Sequence, residues 1–115
     1  MKLIAYKKCS TCRAVEKMLE EKNIPYEYRD IKEDNPSEAE IKKWHEQSKL
    51  DIKKFFNTSG MIYREENLKD KLPTMTTEEK YKLLAKDGML VKRPILITDD
   101  KIYVGPEVKR AIEAM

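Results

Sequence analysis

The sequence predicts an α/β fold in which a four-stranded mixed sheet, ordered β-α-β … β-β-α along the chain, is interrupted by an all-helical insertion. Three observations carry this. A short apolar run, Leu3-Ile4-Ala5, leads directly into a helical pattern that opens at Cys9. Between residues 37 and 88 the apolar side chains recur at helical spacing, with no strand pattern among them. Two further apolar runs, Pro94-Ile95-Leu96-Ile97 and Ile102-Tyr103-Val104, flank Asp99-Asp100 and precede a last amphipathic stretch. The expectation is one domain over residues 1–115, with the helical insertion over about 37–88.

Residues 2–6 read as a buried central strand, because their apolar run is continuous rather than alternating. Cys12, Val15, Met18 and Leu19 then share one helical face, with Glu16, Lys17, Glu20 and Glu21 on the other. Asn23-Ile24-Pro25 breaks that helix. Residues 26–31 alternate Tyr26 and Tyr28 against Glu27 and Arg29, a second strand, parallel to the first because a helix joins them. Ser37 with Glu40 makes a capping box for a helix carrying Ile41, Trp44 and His45. Asp51 caps a short helix through Ile52, Phe55 and Phe56, ended by Thr58-Ser59-Gly60. Residues 63–72 read as one helix with Leu68 and Leu72 inward, stopped by Pro73. Thr76 with Glu79 is a second capping box, followed by Tyr81, Leu83 and Leu84, with Gly88 as the C′ residue. After the hairpin, Gly105-Pro106 opens a last helix with Val108, Ala111 and Ile112 inward.

Charged residues make up 39% of the chain, interspersed in sign, and the net charge is +3. That describes a solvated, salt-laced surface rather than a nucleic-acid stripe. No window approaches the roughly eighteen apolar residues of a membrane span. Residues 1–5 run into the first strand with no signal-peptide pattern, so the expected location is the cytoplasm, where a cysteine pair is more often catalytic or sensing than structural.

The two cysteines stand as Cys9-Ser10-Thr11-Cys12, between a strand pattern and a helix pattern. At this spacing Cys9 lids the helix and Cys12 sits one turn inside. A sulfur there faces unpaired N–H groups and the positive end of the helix dipole, which favour thiolate. Such cysteines fall from about 8.5 into the range of roughly 3.5–7.5. Lys7, Lys8 and Arg13 add positive charge. On this reading Cys9 attacks and Cys12 resolves the mixed disulfide. The competing readings are two buried thiols without chemistry, a structural disulfide, whose short loop would add little stability, and half a zinc site. Zinc needs two further ligands, and His45 is the one histidine. No metal and no organic cofactor are expected.

Arg93-Pro94 opens the third strand. A cis bond there, opposite the cysteine turn, would expose backbone groups to a bound peptide or glutathione and hold Arg93 toward Cys9. The guanidinium would then stabilise thiolate or an anionic substrate group. The alternative is a trans proline opening an edge strand, with Arg93 solvated. His45 reads as a structural histidine, Trp44, Phe55 and Phe56 as core, and Lys42-Lys43 and Lys53-Lys54 as solvated helix faces. Asn57-Thr58-Ser59-Gly60 is either a helix break or a loop bordering the site.

Cysteines after the first strand and a proline opening the third follow the thioredoxin-like plan. Together with Tyr6 to Arg13, the stretch Leu50 to Gly60, Tyr63-Arg64, Asp87-Gly88-Met89-Leu90, Arg93-Pro94-Ile95 and Val104-Gly105, the chain resembles the arsenate reductase/Spx (ArsC-like) family of the thioredoxin superfamily. The middle stretch looks most like the uncharacterised Spx/ArsC-like proteins of Gram-positive bacteria. The resemblance implies a cis bond at Pro94 and a site made of Cys9, Cys12, Ser10, Thr11, Arg93 and Pro94. In glutathione-dependent arsenate reductases of this family, one cysteine at the place of Cys9 takes the oxyanion and three arginines hold it. Only Arg93 has a counterpart here. Asn57 stands where the insertion arginine would be, and residues 103–105 hold no third. Cys12 instead matches the Spx-type switch, in which oxidation of the pair controls binding to RNA polymerase. The expectations are a thiol–disulfide oxidoreductase, a redox-switched regulator that binds RNA polymerase, or an arsenate reductase drawing on glutathione and glutaredoxin. The first, which includes glutaredoxin-like action on thiol and disulfide substrates with glutathione or another thiol as reductant, is the leading one. No direct nucleic-acid or membrane partner is expected, and nothing in the sequence specifies the oligomeric state.

Overall fold

A computed structural model describes residues 1–115. Strand β1 (Lys2–Ala5) and strand β2 (Glu27–Asp30) flank helix α1 (Ser10–Glu21) in sequence. Then come α2 (Glu38–Ser48), a 3₁₀ turn (Ile52–Phe55), α3 (Met61–Glu65), α4 (Leu68–Lys71), a second 3₁₀ turn (Leu72–Thr74), α5 (Thr77–Lys86) and a third 3₁₀ turn (Gly88–Leu90). Strand β3 (Ile95–Ile97), strand β4 (Ile102–Val104) and helix α6 (Pro106–Glu113) complete the chain. No helix is long and apolar enough to cross a membrane.

The sheet is four-stranded and mixed, in the order β2-β1-β3-β4. β1 pairs with β2 in parallel, β3 runs antiparallel to β1, and β4 antiparallel to β3. The continuous apolar run at residues 3–5 therefore belongs to a central strand, as its pattern predicts. β3 is also internal, which removes the edge-strand reading of Pro94. Alternate side chains then choose faces. Leu3, Ala5 and Leu96 pack with Cys12, Val15, Leu19, Val108 and Ile112 under α1 and α6. Ile4 and Ile95 pack on the other face with Ile41, Phe55, Leu84 and Val91 of the inserted segment. Trp44, Phe55 and Phe56 are core residues, as expected.

Both predicted capping boxes form: Ser37 with Glu40, and Thr76 with Glu79. Glu40 has a second task. Its carboxylate accepts from Arg29 at 2.6 and 2.9 Å, a two-pronged pair that ties the start of α2 to strand β2. His45 is structural: its Nδ1 is hydrogen-bonded to the hydroxyl of Tyr81.

Three local expectations are corrected. Residues 63–72 are not one helix; Asn67 takes a left-handed conformation (φ 53°) and splits the stretch into α3 and α4, while Leu68 and Leu72 still point inward. Pro73 does not stop the chain's coiling but sits inside the Leu72–Thr74 turn, where an early proline is tolerated. Gly88 is not a left-handed cap, since Asp87 before it is extended and Gly88 begins a 3₁₀ turn. Its reason is close approach: a Cβ there would lie 1.7 Å from the Ile31 carbonyl oxygen.

Candidate redox site

Helix α1 begins at Ser10 because Cys9 leaves the helical conformation, at φ −95° and ψ 120°. Its backbone N–H donates to the Tyr6 carbonyl at 3.1 Å, and its carbonyl accepts from Arg13 N–H at 3.0 Å. The Cys9 Sγ takes the place usually held by a Ser, Thr or Asp oxygen and accepts from the Cys12 N–H at 3.4 Å. Cys9 is half-buried, and Cys12, one turn inside, is fully buried against the sheet. Ser10 and Thr11 are exposed beside them. Both thiols are free in this structure.

The hairpin register places the third-strand proline across from this turn. Ile4 pairs with Ile95, and Ile95 with Val104. Continuing one step back, Pro94 lies between the end of β1 and Gly105, whose N–H donates to the Pro94 carbonyl at 2.8 Å. The Arg93–Pro94 bond is cis. Arg93 therefore meets Tyr6, with its guanidinium carbon 5.4 Å from the ring centroid. Its Nε and Nη1 are buried and donate to no group in the chain. Gly105 holds the corner at φ 63°, a backbone that favours glycine, and packs against the Lys92 stem.

These positions separate the two thiols chemically. Partial burial works against the Cys9 thiolate, but hydrogen bonds from the Cys12 thiol and backbone N–H, joined by the charge of Arg93, outweigh it and draw the Cys9 pKa down. The arginine acts on Cys9 chiefly through its charge. Burial pushes the Cys12 thiol in the opposite direction, and the neighbouring Cys9 thiolate adds to that rise. One sulfur is prepared to be an anion and the other to stay protonated.

The insertion closes one side of the site. Phe56 bridges Val91, Lys92 N–H donates to the Phe55 carbonyl at 2.7 Å, and Asn57 N–H donates to the Leu90 carbonyl at 2.8 Å. Asn57 also donates from its side chain to Met89 O at 3.4 Å. The polar stretch 57–60 is thus laced to the segment that delivers Arg93. Sequence reasoning did not find Lys92, Lys109 and Arg110, which with Thr11 and Arg93 line an open groove of about 460 Å³. Only pairing of β3 with β4 brings residues 105–110 to Arg93. A wider cleft, about 820 Å³, lies between β2 and α2 and includes Lys2 and Ile97, at the other end of the central strands. It contains no thiol, and its Arg29 is consumed by Glu40, so it is not the site. No cluster of His, Cys, Asp and Glu has metal-holding geometry.

The uncharacterised protein YusI of Bacillus subtilis is 52% identical over 100 residues, spanning 87% of this chain and 85% of its own length. Global transcriptional regulator Spx 1 of Bacillus cereus is 28% identical over 97 residues, spanning 84% of this chain and 72% of its own. Among solved structures, an ArsC-family-related protein of Bacteroides fragilis superposes with a TM-score of 0.90 at 48% identity, covering 96% of this chain and 95% of that one. The profile of the ArsC family matches residues 5–113, and the chain belongs to that family, with its thioredoxin-like fold.

Proposed function

We propose that the protein is a cytoplasmic thiol–disulfide oxidoreductase. The observation that carries this is the sulfur cap: Cys9 Sγ receives the Cys12 N–H at the start of α1, with the Arg93 charge facing it. The Cys9 thiolate attacks one sulfur of a substrate disulfide. A Cys9–substrate disulfide forms, and the second substrate sulfur leaves as a thiolate that takes a proton from solvent. The Cys9 charge has then gone, which removes one of the causes holding the Cys12 pKa up. Cys12 loses its proton and attacks Cys9 Sγ, releasing the remaining substrate thiolate. The substrate disulfide gains two electrons and becomes two thiols, while Cys9 and Cys12 become a disulfide. A thiol reductant, such as glutathione or a dithiol, returns the pair to its reduced state. Arg93 stabilises the attacking thiolate or an anionic group of the substrate, and Pro94 shapes the cleft. Ser10 and Thr11 border the incoming sulfur.

The test is turnover of a peptide disulfide with a thiol reductant. Cys9→Ser is expected to abolish it, and Cys12→Ser to accumulate the Cys9 mixed disulfide, visible as an added mass. Full activity in Cys9→Ser would show the mechanism to be wrong. A second reading is supported by the similarity to Spx 1: the same pair acting as the switch of a regulator that binds RNA polymerase. Capture of polymerase subunits in one redox state only, with no disulfide turnover, would establish that reading in place of the first.

A further inference from the structure

The groove beside Arg93 does not end there. A second hollow of about 430 Å³ shares Lys92 and Pro106 with it and adds Lys53, Lys54 and Phe56. A third, about 170 Å³, shares Lys53 and Phe56 with the second; its floor is Ile52, Phe56, Tyr63 and Leu72. Lys69 and Lys80 stand on its rim. Through these shared residues the three hollows lie side by side along one face, and together they form a channel-like row from Thr11 of the cysteine turn across the insertion to an apolar pocket.

The charge along this channel is one-sided. Basic side chains line every part, and none of them is in an ion pair; the salt bridges of the chain engage Lys2, Lys17 and Arg29 instead. The acidic residues that line it are Asp51 and Glu113. The Asp51 carboxylate is already occupied as a cap on Lys53 N–H at 2.9 Å. In a chain whose net charge is only +3, this is segregation of charge onto one face. The start of the channel also offers main-chain partners, because neither the N–H nor the C=O of Arg93 is engaged in a backbone hydrogen bond.

We propose that this channel docks an acidic, extended segment of a protein partner, with one apolar side chain seated in the pocket of Ile52, Phe56, Tyr63 and Leu72. Delivery of a partner disulfide to Cys9 rests on the oxidoreductase reading; the docking itself does not. A small anionic thiol would fill only the first hollow and leave the lysines of the insertion unused. Nucleic acid is the poorer fit, since the aromatic rings, Phe56 and Tyr63, are mostly buried and line a small pocket of about 170 Å³ rather than an open stacking platform.

The experiment is fluorescence anisotropy with labelled ten-residue peptides free of cysteine. One is Glu/Asp-rich with a central Leu, and the other has the same Leu with every charge reversed to Lys. The acidic peptide is expected to bind at least tenfold more tightly, with affinity falling as salt rises. The double variants Lys53→Glu/Lys54→Glu and Lys109→Glu/Arg110→Glu, at exposed positions, should each weaken it at least fivefold. Exchanging the central Leu for Ser should also weaken it. Equal affinity for the two peptides, or full affinity in both double variants, would overturn the proposal. So would a single-stranded oligonucleotide that binds more tightly than the acidic peptide. Because the peptides carry no sulfur, binding without disulfide turnover would remove the oxidoreductase reading and keep the docking channel; turnover without binding would do the reverse.

Discussion

The backbone N–H of Cys12 points at the sulfur of Cys9 across 3.4 Å, so the two cysteines are related as a helix cap and the first-turn group it satisfies. A thiolate accepts that hydrogen bond better than a thiol does, and the Cys12 thiol can donate a second. The helix start therefore stabilises the reactive form of Cys9 without a histidine or a metal nearby.

Alkylation of Cys9 should report this directly. Its rate follows the thiolate fraction, which falls as pH drops through the Cys9 pKa, here below that of an ordinary cysteine. The hydrogen bond from the Cys12 thiol is the largest stabilising influence and the charge of Arg93 a smaller one. Alkylation at pH 7 should slow severalfold in Cys12→Ala and less in Arg93→Met, with both pH profiles displaced upward. Mass-resolved iodoacetamide kinetics against pH check the order.

The pair of Arg29 and Glu40 predicts a pH dependence of stability. The Arg29 fork, the largest cause, holds the Glu40 carboxyl at about 2 against an ordinary 4.5. A depressed carboxyl contributes stability that is present above 4.5 and lost as pH falls toward 2. The Glu40 side chain is 38% exposed, so solvent screens the pair, and its contribution at neutral pH should be roughly 1 kcal/mol. Urea titrations at pH 7, 4 and 2 should show Glu40→Gln less stable than the natural chain at pH 7, with the difference vanishing at the acid end.

Gly88 should not tolerate a methyl group. Alanine there would place its Cβ 1.7 Å from the Ile31 carbonyl oxygen, so backbone must move at the junction of β2 and the insertion. Gly88→Ala is expected to cost about 2–3 kcal/mol, at the upper end of overpacking. Gly60→Ala meets the Asn57 amide nitrogen at 2.8 Å, the end of a side chain that can turn by giving up its bond to Met89 O, and the Asn57 carbonyl oxygen only at 3.3 Å, so it should cost less than Gly88→Ala. Thermal melts of the two variants give the comparison.

Arsenate is expected to be a poor substrate. Arg93 is the one arginine at Cys9 supported by its placement against Tyr6, and Asn57 spends its side chain on Met89 O. Lys92, Lys109 and Arg110 line the groove beyond Arg93, but Arg93 is the one cation whose charge acts on Cys9, and a single guanidinium at the sulfur leaves an arsenate dianion largely uncompensated. Arsenite formation with glutathione and glutaredoxin present should fall below detection, while a peptide disulfide is turned over under the same conditions.

What the sequence determined by itself was local. Capping at Cys9, Ser37, Thr76 and Asp51 was legible because a cap and the N–H it satisfies lie within one turn of each other. The central place of β1 was legible because a strand covered on both faces carries no polar alternation. The break at Asn67 was not, since nothing in residues 63–72 marks it apart from a tolerance of Asn for the left-handed region. The tertiary structure decided the rest of the site. Arg93 meets Tyr6 only once β3 lies antiparallel to β1, Asn57 meets Met89 only once the insertion folds back, and Gly88 is needed only because Ile31 passes against it. Lys53, a solvated charge when read along the chain, shares one groove with Lys92 for the same reason. Each is an encounter between residues far apart in sequence, and such an encounter leaves no periodicity or spacing to read until the chain has closed.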